Sequence, residues 1–450
     1  MTGMDNLAIH TSGSWEGVTV ARHVGGEWVP VLGGGGSYTP PEFTPDDGPV
    51  QNIATNTGVL QNQWTPGTTG AASATRHMLY ANAAEITLGW FARPNPKFGA
   101  GADTPLRAWV RRPGEPWVEC TFDGATEVSL HGAVSEEALL PSDAQNVYAD
   151  PIPGPFYLGD TIEVMTWGQA ATGTMGVQGD LDGTYDLGKT SGDPATVEQA
   201  PASAFSATGT GARPSVVLAP SAQSSSWALI GDSNSVNPAR SYLAQAFRAR
   251  ALPHILNGKH GLGTYHLAEG WWDFQLGEQL KYADSVFSAL GTNDGNSVGA
   301  DLRANMVTAW ETARAAGVVR WVQGTVAPRA IDNGDGTTSG VYKPGDVLNP
   351  WLRDGAPIIG GAPVTPGTAG AVRATVITLA GDVVPGDPAH PLGTGWVSDT
   401  GGVLESSVGS GEYRQDEPRV YNPGDLTHYV QAGQDIQAVL LGRDLALMGF

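Results

Sequence analysis

The chain of 450 residues is long enough for two or three domains, and it contains 62 glycines, 32 prolines and only 15 % charged residues. This composition favours turn-rich β structure with an α/β unit over a helical bundle, and a hydrophobic fraction of 40 % argues against a disordered chain. The formal net charge of −21 excludes nucleic acid and anionic membrane surfaces as favourable partners, because both are negatively charged.

The single cysteine, Cys120, excludes an internal disulfide and a cysteine-based zinc cluster, and we expect it to be a small buried residue. The first residues lack a basic segment followed by an apolar run, so we expect no signal peptide and synthesis in a cytoplasm. No run of 18 apolar residues occurs, so no membrane insertion is expected.

Residues 1–36 are predicted to form a short β-rich attachment segment. Two similar units, SGSWEGVTV and GGEWVPVL, place Trp15 and Trp28 after small turn residues. Four consecutive glycines, Gly33 to Gly36, then predict a flexible linker.

Residues 37–215 are predicted to form an all-β accessory domain. Short runs such as EITLGWFARP and PLRAWVRRP are rich in β-branched and aromatic residues, and turns rich in Gly, Pro and Asp separate them. This spacing predicts a sandwich or jelly roll. The small, polar stretch 187–215 is expected to be a linker or strap.

Residues 216–450 alternate short apolar runs, such as SWALIG and VVRWVQGTVAP, with helical patterns. Helices are predicted over 238–251, with Asn237 as N-cap, over 300–316 and over 431–448. This alternation predicts a parallel sheet with helices on both faces. Ligand sites in such sheets lie at the carboxyl ends of the strands.

Polar clusters follow several of these apolar runs. GDS at 231–233 ends the run WALI, GKHGLGT at 258–264 follows PHIL, GTND at 291–294 follows ADSVFSAL, and GDLTH at 424–428 precedes the last helix. Serine hydrolysis needs a hydroxyl nucleophile, a base, a group that orients the base, and donors aimed at the oxyanion. The four clusters contain groups of each kind.

Their spacing suits this chemistry. Asp425 and His428 are three residues apart, which lets the carboxylate meet the imidazole on a turn entering a helix. The side-chain amide of Asn293 can point at an oxyanion. The backbone N–H of Gly261 can approach a substrate closely because this residue has no side chain.

These blocks resemble the SGNH, or GDSL-like, hydrolase family over roughly the last half of the chain. Residues 230–233 match a strand that ends in Gly-Asp-Ser, residues 291–294 match Gly-x-Asn-Asp, and Asp425 with His428 matches Asp-x-x-His. The resemblance implies a flavodoxin-like, three-layer α/β fold. It also implies Ser233 as nucleophile, His428 as general base and Asp425 as the residue that orients it.

The resemblance further implies an oxyanion hole formed by the backbone amides of Ser233 and Gly261 and the side chain of Asn293, with no metal or organic cofactor. The spacing of Asn and glycines is altered in NGKHG at 257–261, so Gly258 stays an alternative to Gly261. Two supporting acids and three cleft-wall candidates complete the site: Asp232, Asp294, His260, Trp271 and Trp272.

Other motifs offer alternatives. GNSVG at 295–299 matches the Gly-x-Ser-x-Gly elbow of α/β-hydrolases, but the predicted strand ends before it, so Ser297 is expected near the N-cap of a helix. Residues 180–183 and 332–336 resemble calcium loops without the full twelve-residue pattern, and we interpret them as turns.

The tryptophan units of residues 1–36 resemble short repeats in bacteriophage tail proteins, and residues 37–215 resemble the accessory sandwich found ahead of SGNH domains. We therefore predict a serine esterase on a phage tail, a carbohydrate O-acetyl esterase that acts on host cell-surface polysaccharide. Expected partners are this substrate, other tail proteins and copies of the chain, with a trimer as one option. The alternatives are a lipase or thioesterase, and a non-catalytic structural or receptor-binding tail protein on the same scaffold.

Overall fold

The structure, a computed structural model, describes the chain in segments. These segments are residues 21–24, 27–30, 43–60, 67–91, 104–130, 146–170, 178–180, 186–200, 204–205, 210–222, 225–237, 240–258, 260–267, 277–294, 302–332, 338–340, 344–408, 410, 412–416, 418–424 and 426–450. The chain divides into two units, residues 1–44 and 45–450. The first contains an antiparallel hairpin of β1 (Ala21–Val24) and β2 (Glu27–Pro30).

The first half of the second unit consists mainly of strands, which form two antiparallel sheets and edge strands of a third sheet. The strands are β3 (Val50–Asn52), β4 (Thr57–Leu60), β5 (Gly67–Met78), β6 (Ala83–Phe91), β7 (Thr104–Arg111), β8 (Val118–Glu119), β9 (Val128–Leu130), β10 (Asn146–Tyr148), β11 (Ile152–Phe156), β12 (Thr161–Ala170), β13 (Gln178–Asp180), β14 (Asp186–Ser191), β15 (Thr210–Ala212) and β16 (Val216–Pro220). One short helix, α1 (Pro194–Glu198), lies among the described residues of this half.

The two antiparallel sheets have the orders β10-β6-β16-β3, with β11 on β6, and β14-β5-β12-β7-β8, with β9 on β7. Their facing sides share one apolar core, in which Leu88 and Trp90 of β6 lie with Val110 of β7 and Val164 of β12. The Trp90 indole Nε1 donates to Thr166 Oγ1 of the other sheet at 3.1 Å, so this buried polar atom is satisfied.

The second half alternates strands and helices, as its sequence pattern predicts. Its elements are β17 (Trp227–Gly231), α2 (Tyr242–Ala249), β18 (His254–Gly258), α3 (Thr264–His266), α4 (Gly277–Leu280), β19 (Ser285–Ser288), α5 (Leu302–Ala315), β20 (Arg320–Gly324), β21 (Ala330–Asp332), β22 (Thr338–Gly340), α6 (Pro344–Arg353), β23 (Ile358–Ile359), β24 (Ala362–Pro363), β25 (Thr375–Ile377), β26 (Val383–Val384), β27 (Trp396–Ser398) and α7 (Gln431–Leu447). Two 3-10 turns, Ser233–Ser235 and Gly401–Leu404, lie between them.

A ten-stranded sheet with the order β15-β13-β4-β18-β17-β19-β20-β27-β25-β26 forms the centre of this half. Its strands from β4 to β25 pair in parallel. Ile230 of β17 packs with Trp310 of α5 on one face, whereas Leu229 packs with Phe247 of α2 and Leu441 of α7 on the other. The predicted parallel sheet with helices on both faces is confirmed.

Several boundaries differ from the predicted ones. Helix α2 begins at Tyr242 rather than at residue 238, because the Ser241 side chain caps it by accepting from the backbone N–H of Ala244. Asn237 instead accepts from the N–H of Arg240 at 3.0 Å and closes the preceding turn. Helix α6, which carries a proline inside it, has no counterpart in the sequence prediction.

Strands from the two sides of the predicted boundary between residues 215 and 216 also pair with each other. Strand β4 extends the parallel sheet by pairing with β18, whereas β16 pairs with β6 and β3 in an antiparallel sheet. The stretch 187–215, expected to be a linker or strap, contributes to β14, α1 and β15. The domain boundaries themselves stay a prediction.

Three further expectations concern Cys120, membrane-spanning helices and the segments that resemble calcium loops. Cys120 is buried, as expected, and burial raises the pKa of its thiol to about 12. Within the described ranges, no helix is both long and apolar enough to span a membrane. The two segments that resemble calcium loops, residues 180–183 and 332–336, lie largely outside the described residues.

His254 makes the stability of the fold depend on pH. Its imidazole is fully buried, with Nδ1 3.0 Å from the Leu252 carbonyl oxygen, and burial lowers its pKa from 6.5 to about 3. Since the unfolded chain binds this proton below pH 6.5 and the folded chain does not, the free energy of unfolding should fall as the pH drops from 6.5 towards 3. The expected slope is about 1.4 kcal/mol per pH unit.

Urea unfolding of the wild type and His254→Phe between pH 4.5 and 8 tests this prediction. Below pH 6.5 the free energy of unfolding should fall less steeply in the variant, by about 1.4 kcal/mol per pH unit, because His77, whose pKa is also lowered to about 3, keeps its own contribution. Above pH 7 the difference between the two proteins should stay constant. An identical slope in both proteins would contradict the assignment.

Candidate active site

Ser233 lies two residues beyond Gly231, the last residue of β17. It opens a 3-10 turn capped by Asp232, whose Oδ1 accepts from the N–H of Asn234 at 2.8 Å. A Cβ at Gly231 would lie 2.1 Å from Ser235 Oγ, so only glycine permits this turn. The turn therefore presents the partly buried Ser233 at the carboxyl end of β17.

His428 meets Ser233 at this edge of the sheet. Its Nε2 lies 2.8 Å from Ser233 Oγ, although the two residues are 195 positions apart in the chain. Such a contact lets an imidazole accept the hydroxyl proton. Asp425 lies outside the described residues, so its predicted role stays a prediction.

Residues of the 291–294 block form hydrogen bonds to the loop that follows β18 and contains Gly261. Asn293 Nδ2 donates to the Leu262 carbonyl at 3.1 Å. Asp294 accepts from Thr264, at 3.1 Å from its N–H and 2.7 Å from its hydroxyl, and from the Tyr265 N–H at 3.3 Å. Burial raises the pKa of Asp294, and these hydrogen bonds act against that shift.

The backbone N–H groups of Ser233 and Gly261 have no hydrogen-bond partner among the described residues. Gly261 is exposed, has a φ of +76° and would place a Cβ in open space. Gly258 is instead buried, and a Cβ there would lie 2.7 Å from the Ser235 carbonyl oxygen. The geometry thus leaves Gly261, rather than Gly258, accessible to a ligand.

Two residues that the sequence analysis did not single out also contact the site. Asn234 Oδ1 accepts from the Tyr429 N–H at 3.2 Å, and its Nδ2 donates to the Thr427 carbonyl at 3.4 Å. Arg329 donates through Nη1 to the Thr292 carbonyl at 2.8 Å and through Nη2 to Thr427 Oγ1 at 3.1 Å. Arg329 follows β20, so the rule that sites lie at strand ends could have indicated it.

Asp232, the residue before Ser233, is a buried acid. Its side chain is 2 % exposed, and this burial raises the pKa of the carboxyl. Hydrogen bonds from Asn234 and Thr292 and the charge of His428 act in the opposite direction. The net direction shows that the folded state disfavours the carboxylate.

The remaining predicted site residues are placed as follows. His260 is partly buried in the loop beside Gly261. Trp271, Trp272 and the rival Ser297 lie outside the described residues. Within the described ranges, no three His, Cys, Asp or Glu side chains converge as a metal site would require.

Comparison with known proteins gives remote structural similarities. Neither the protein-family models nor the curated proteins include a match. An active-site mutant of a family two carbohydrate esterase from Clostridium thermocellum is 14 % identical, with a TM-score of 0.31 over 87 % of this chain and 98 % of that chain. A protein of the lipolytic G-D-S-L family from Desulfitobacterium hafniense DCB-2 is 12 % identical, with a TM-score of 0.33 over 49 % of this chain and 98 % of that chain.

A third solved structure is a peptidoglycan O-acetylesterase that is 11 % identical, with a TM-score of 0.31 over 89 % of this chain and 78 % of that chain. Because all three TM-scores lie below 0.5, these similarities establish neither a shared fold nor a shared activity. The chemistry of this site is inferred from its own geometry.

Replacing Asp232 tests whether burial of its carboxyl group destabilises the folded state. Because the pKa of Asp232 is raised on folding, its charge destabilises the folded state once the pH exceeds the unfolded value near 3.8. Asp232→Asn keeps an acceptor for the Asn234 N–H and removes the charge. We expect it to unfold at a higher temperature than the wild type.

Thermal unfolding at pH 4 and pH 8 would measure this effect. The increase in melting temperature of the variant over the wild type should be larger at pH 8, where the wild-type carboxyl is ionised in the unfolded chain. A lower melting temperature for the variant at pH 8 would show that the carboxylate stabilises the fold.

Proposed function

We propose that the protein is a serine hydrolase of carboxylic esters. The observation that carries this proposal is the 2.8 Å contact between Ser233 Oγ and His428 Nε2, at the sheet edge where α/β proteins bind ligands. Two further observations support it. The backbone N–H groups of Ser233 and Gly261 have no partner among the described residues, and the Asn293 amide lies on a loop that follows β19 in the same sheet.

The proposed reaction proceeds in two halves. Ser233 Oγ forms a bond to the ester carbonyl carbon while its proton passes to His428 Nε2, and the carbonyl electron pair moves onto oxygen. When the carbonyl re-forms, the bond to the alcohol oxygen breaks and His428 returns the proton to that oxygen. Water then attacks the acyl-serine in the same way, which releases the carboxylic acid and restores the serine.

The developing oxyanion needs donors that already point at it. We assign this role to the N–H groups of Ser233 and Gly261 and to the second N–H of Asn293, whose first N–H donates to Leu262. We assign Asp425 to orienting His428, as the family resemblance implies.

The finer fold assignment belongs to the same proposal. Five neighbouring strands of the sheet lie in the spatial order β18-β17-β19-β20-β27. Numbered by their positions along the chain, they have the order 2-1-3-4-5, which is that of flavodoxin-like sheets. We propose that this sheet is the SGNH hydrolase domain and that the two antiparallel sheets form an accessory sandwich.

We propose an O-acetylated polysaccharide as substrate and a phage tail appendage as the place of action. The sequence resemblances support both, and the net charge of −21 agrees with a partner that is not polyanionic. A lipase or thioesterase would instead prefer long acyl chains. A non-catalytic tail protein would leave Ser233 unreactive.

Hydrolysis of p-nitrophenyl acetate by the wild type, Ser233→Ala and Ser297→Ala tests the assigned nucleophile. We expect Ser233→Ala to lose activity by roughly 10³-fold or more, because no hydroxyl remains to form the acyl-enzyme. Ser297→Ala is the matched control and should keep wild-type activity.

Labelling of the same three proteins by a fluorophosphonate gives a readout that does not depend on the ester. Loss of activity and labelling in Ser297→Ala alone would refute the assignment. Preference for octanoate over acetate esters would favour the lipase alternative, and a wild type that neither cleaves nor labels would favour the binding protein.

A further inference from the structure

We propose that Asn234 and Arg329 are positioning residues that hold the loop of His428 from two sides, and we call this pair the histidine clamp. The proposal rests on the proposed function, because it assigns these residues a role in placing the general base. Neither residue needs to contact the substrate in this role.

Asn234 provides one side of the clamp. It is the residue after the nucleophile, and its side chain bonds the peptide groups on both sides of His428, those of Thr427 and Tyr429. These two hydrogen bonds tie the position of the 233–235 turn to that of the segment that carries His428. A side chain that only filled space would not need to match both a carbonyl and an N–H of one short segment.

Asn234 is itself held in place. It is 6 % exposed, its N–H donates to Asp232 Oδ1, and its carbonyl accepts from Gln434 Nε2 of α7 at 3.0 Å. The Gln434 Oε1 accepts from the Tyr242 N–H of α2 at 2.7 Å. The clamp is therefore anchored to the two helices that cover one face of the sheet.

Arg329 provides the other side. Its guanidinium links the residue before Asn293 to the residue before His428, through Thr292 and Thr427. Arg329 forms no ion pair with a described residue, although the chain carries 45 acids. Its planar guanidinium instead makes two divergent hydrogen bonds, which suit it to linking two loops.

Together these contacts form a continuous series of hydrogen bonds across the site. The series runs from Asn234 to the segment that carries His428, through Arg329 to the 291–294 block, and through Asn293 to Leu262, next to Gly261. Misplacing a catalytic group by about 1 Å can cost roughly 100-fold in rate. Removing a link of this series should therefore lower kcat without weakening substrate binding.

The test compares Asn234→Ala, Arg329→Ala and Arg329→Lys with the wild type in kcat, KM, fluorophosphonate labelling and thermal unfolding. Arg314→Ala is the matched control, since Arg314 is an exposed arginine on α5. We expect the Asn234 and Arg329 variants to lose about 10- to 100-fold in kcat and labelling rate, with KM within about threefold.

Arg329→Lys keeps the charge but has one compact donor group, so it should recover little of the lost rate. Added guanidinium ion should restore several-fold activity to Arg329→Ala and none to Arg314→Ala. A merely structural residue would not show this rescue, nor a loss of kcat at an unchanged melting temperature.

Three results would overturn the clamp while the proposed function stands. These are wild-type rates in all variants, a raised KM at constant kcat, which would make Arg329 a substrate-binding residue, and activity loss that only parallels unfolding. If the wild type itself neither cleaves esters nor labels, the proposed function fails and the clamp fails with it.

Discussion

Parallel pairing of β17 with β18 and β19 is the constraint on which the rest of the site depends. It brings the carboxyl ends of several strands to one edge, where the chain must turn within two or three residues. Gly231 allows that turn after β17, because Ser235 occupies the space that a side chain would need. Ser233, the Gly261 loop and Asn293 are neighbours for this reason, without being close in sequence.

Two of the polar groups at this edge are costly to the stability of the fold. Asp232 is buried with a raised pKa, and Arg329 is partly buried and forms no ion pair with a described residue. Sites that hold such groups commonly trade folding free energy for function. The apolar clusters on both faces of the sheet supply the compensating stability, since β17 is buried along its whole length.

The two halves of the 45–450 unit are joined by more than a linker. Strand β4 from the first half lies beside β18 in the parallel sheet. Close to it, the fully buried Arg213 donates to Asn56 at 2.6 Å and to Asp186 at 3.4 Å. A truncation at residue 216 would remove β4, β13 and β15 from the ten-stranded sheet and leave β18 without its neighbour, so the second half shares part of its sheet with the first.

The sequence by itself determined the features encoded within a dozen residues. The alternation of apolar runs and helical patterns predicted the parallel sheet, α7 matches its predicted range to within one residue, and the motifs indicated Ser233 and His428. Only the tertiary structure revealed the contribution of β4 to the sheet, the cap at Ser241, and the contacts of Asn234 and Arg329. Those contacts join residues 37 to 195 positions apart, so they depend on strand order and loop packing, which local periodicity and turn chemistry do not encode.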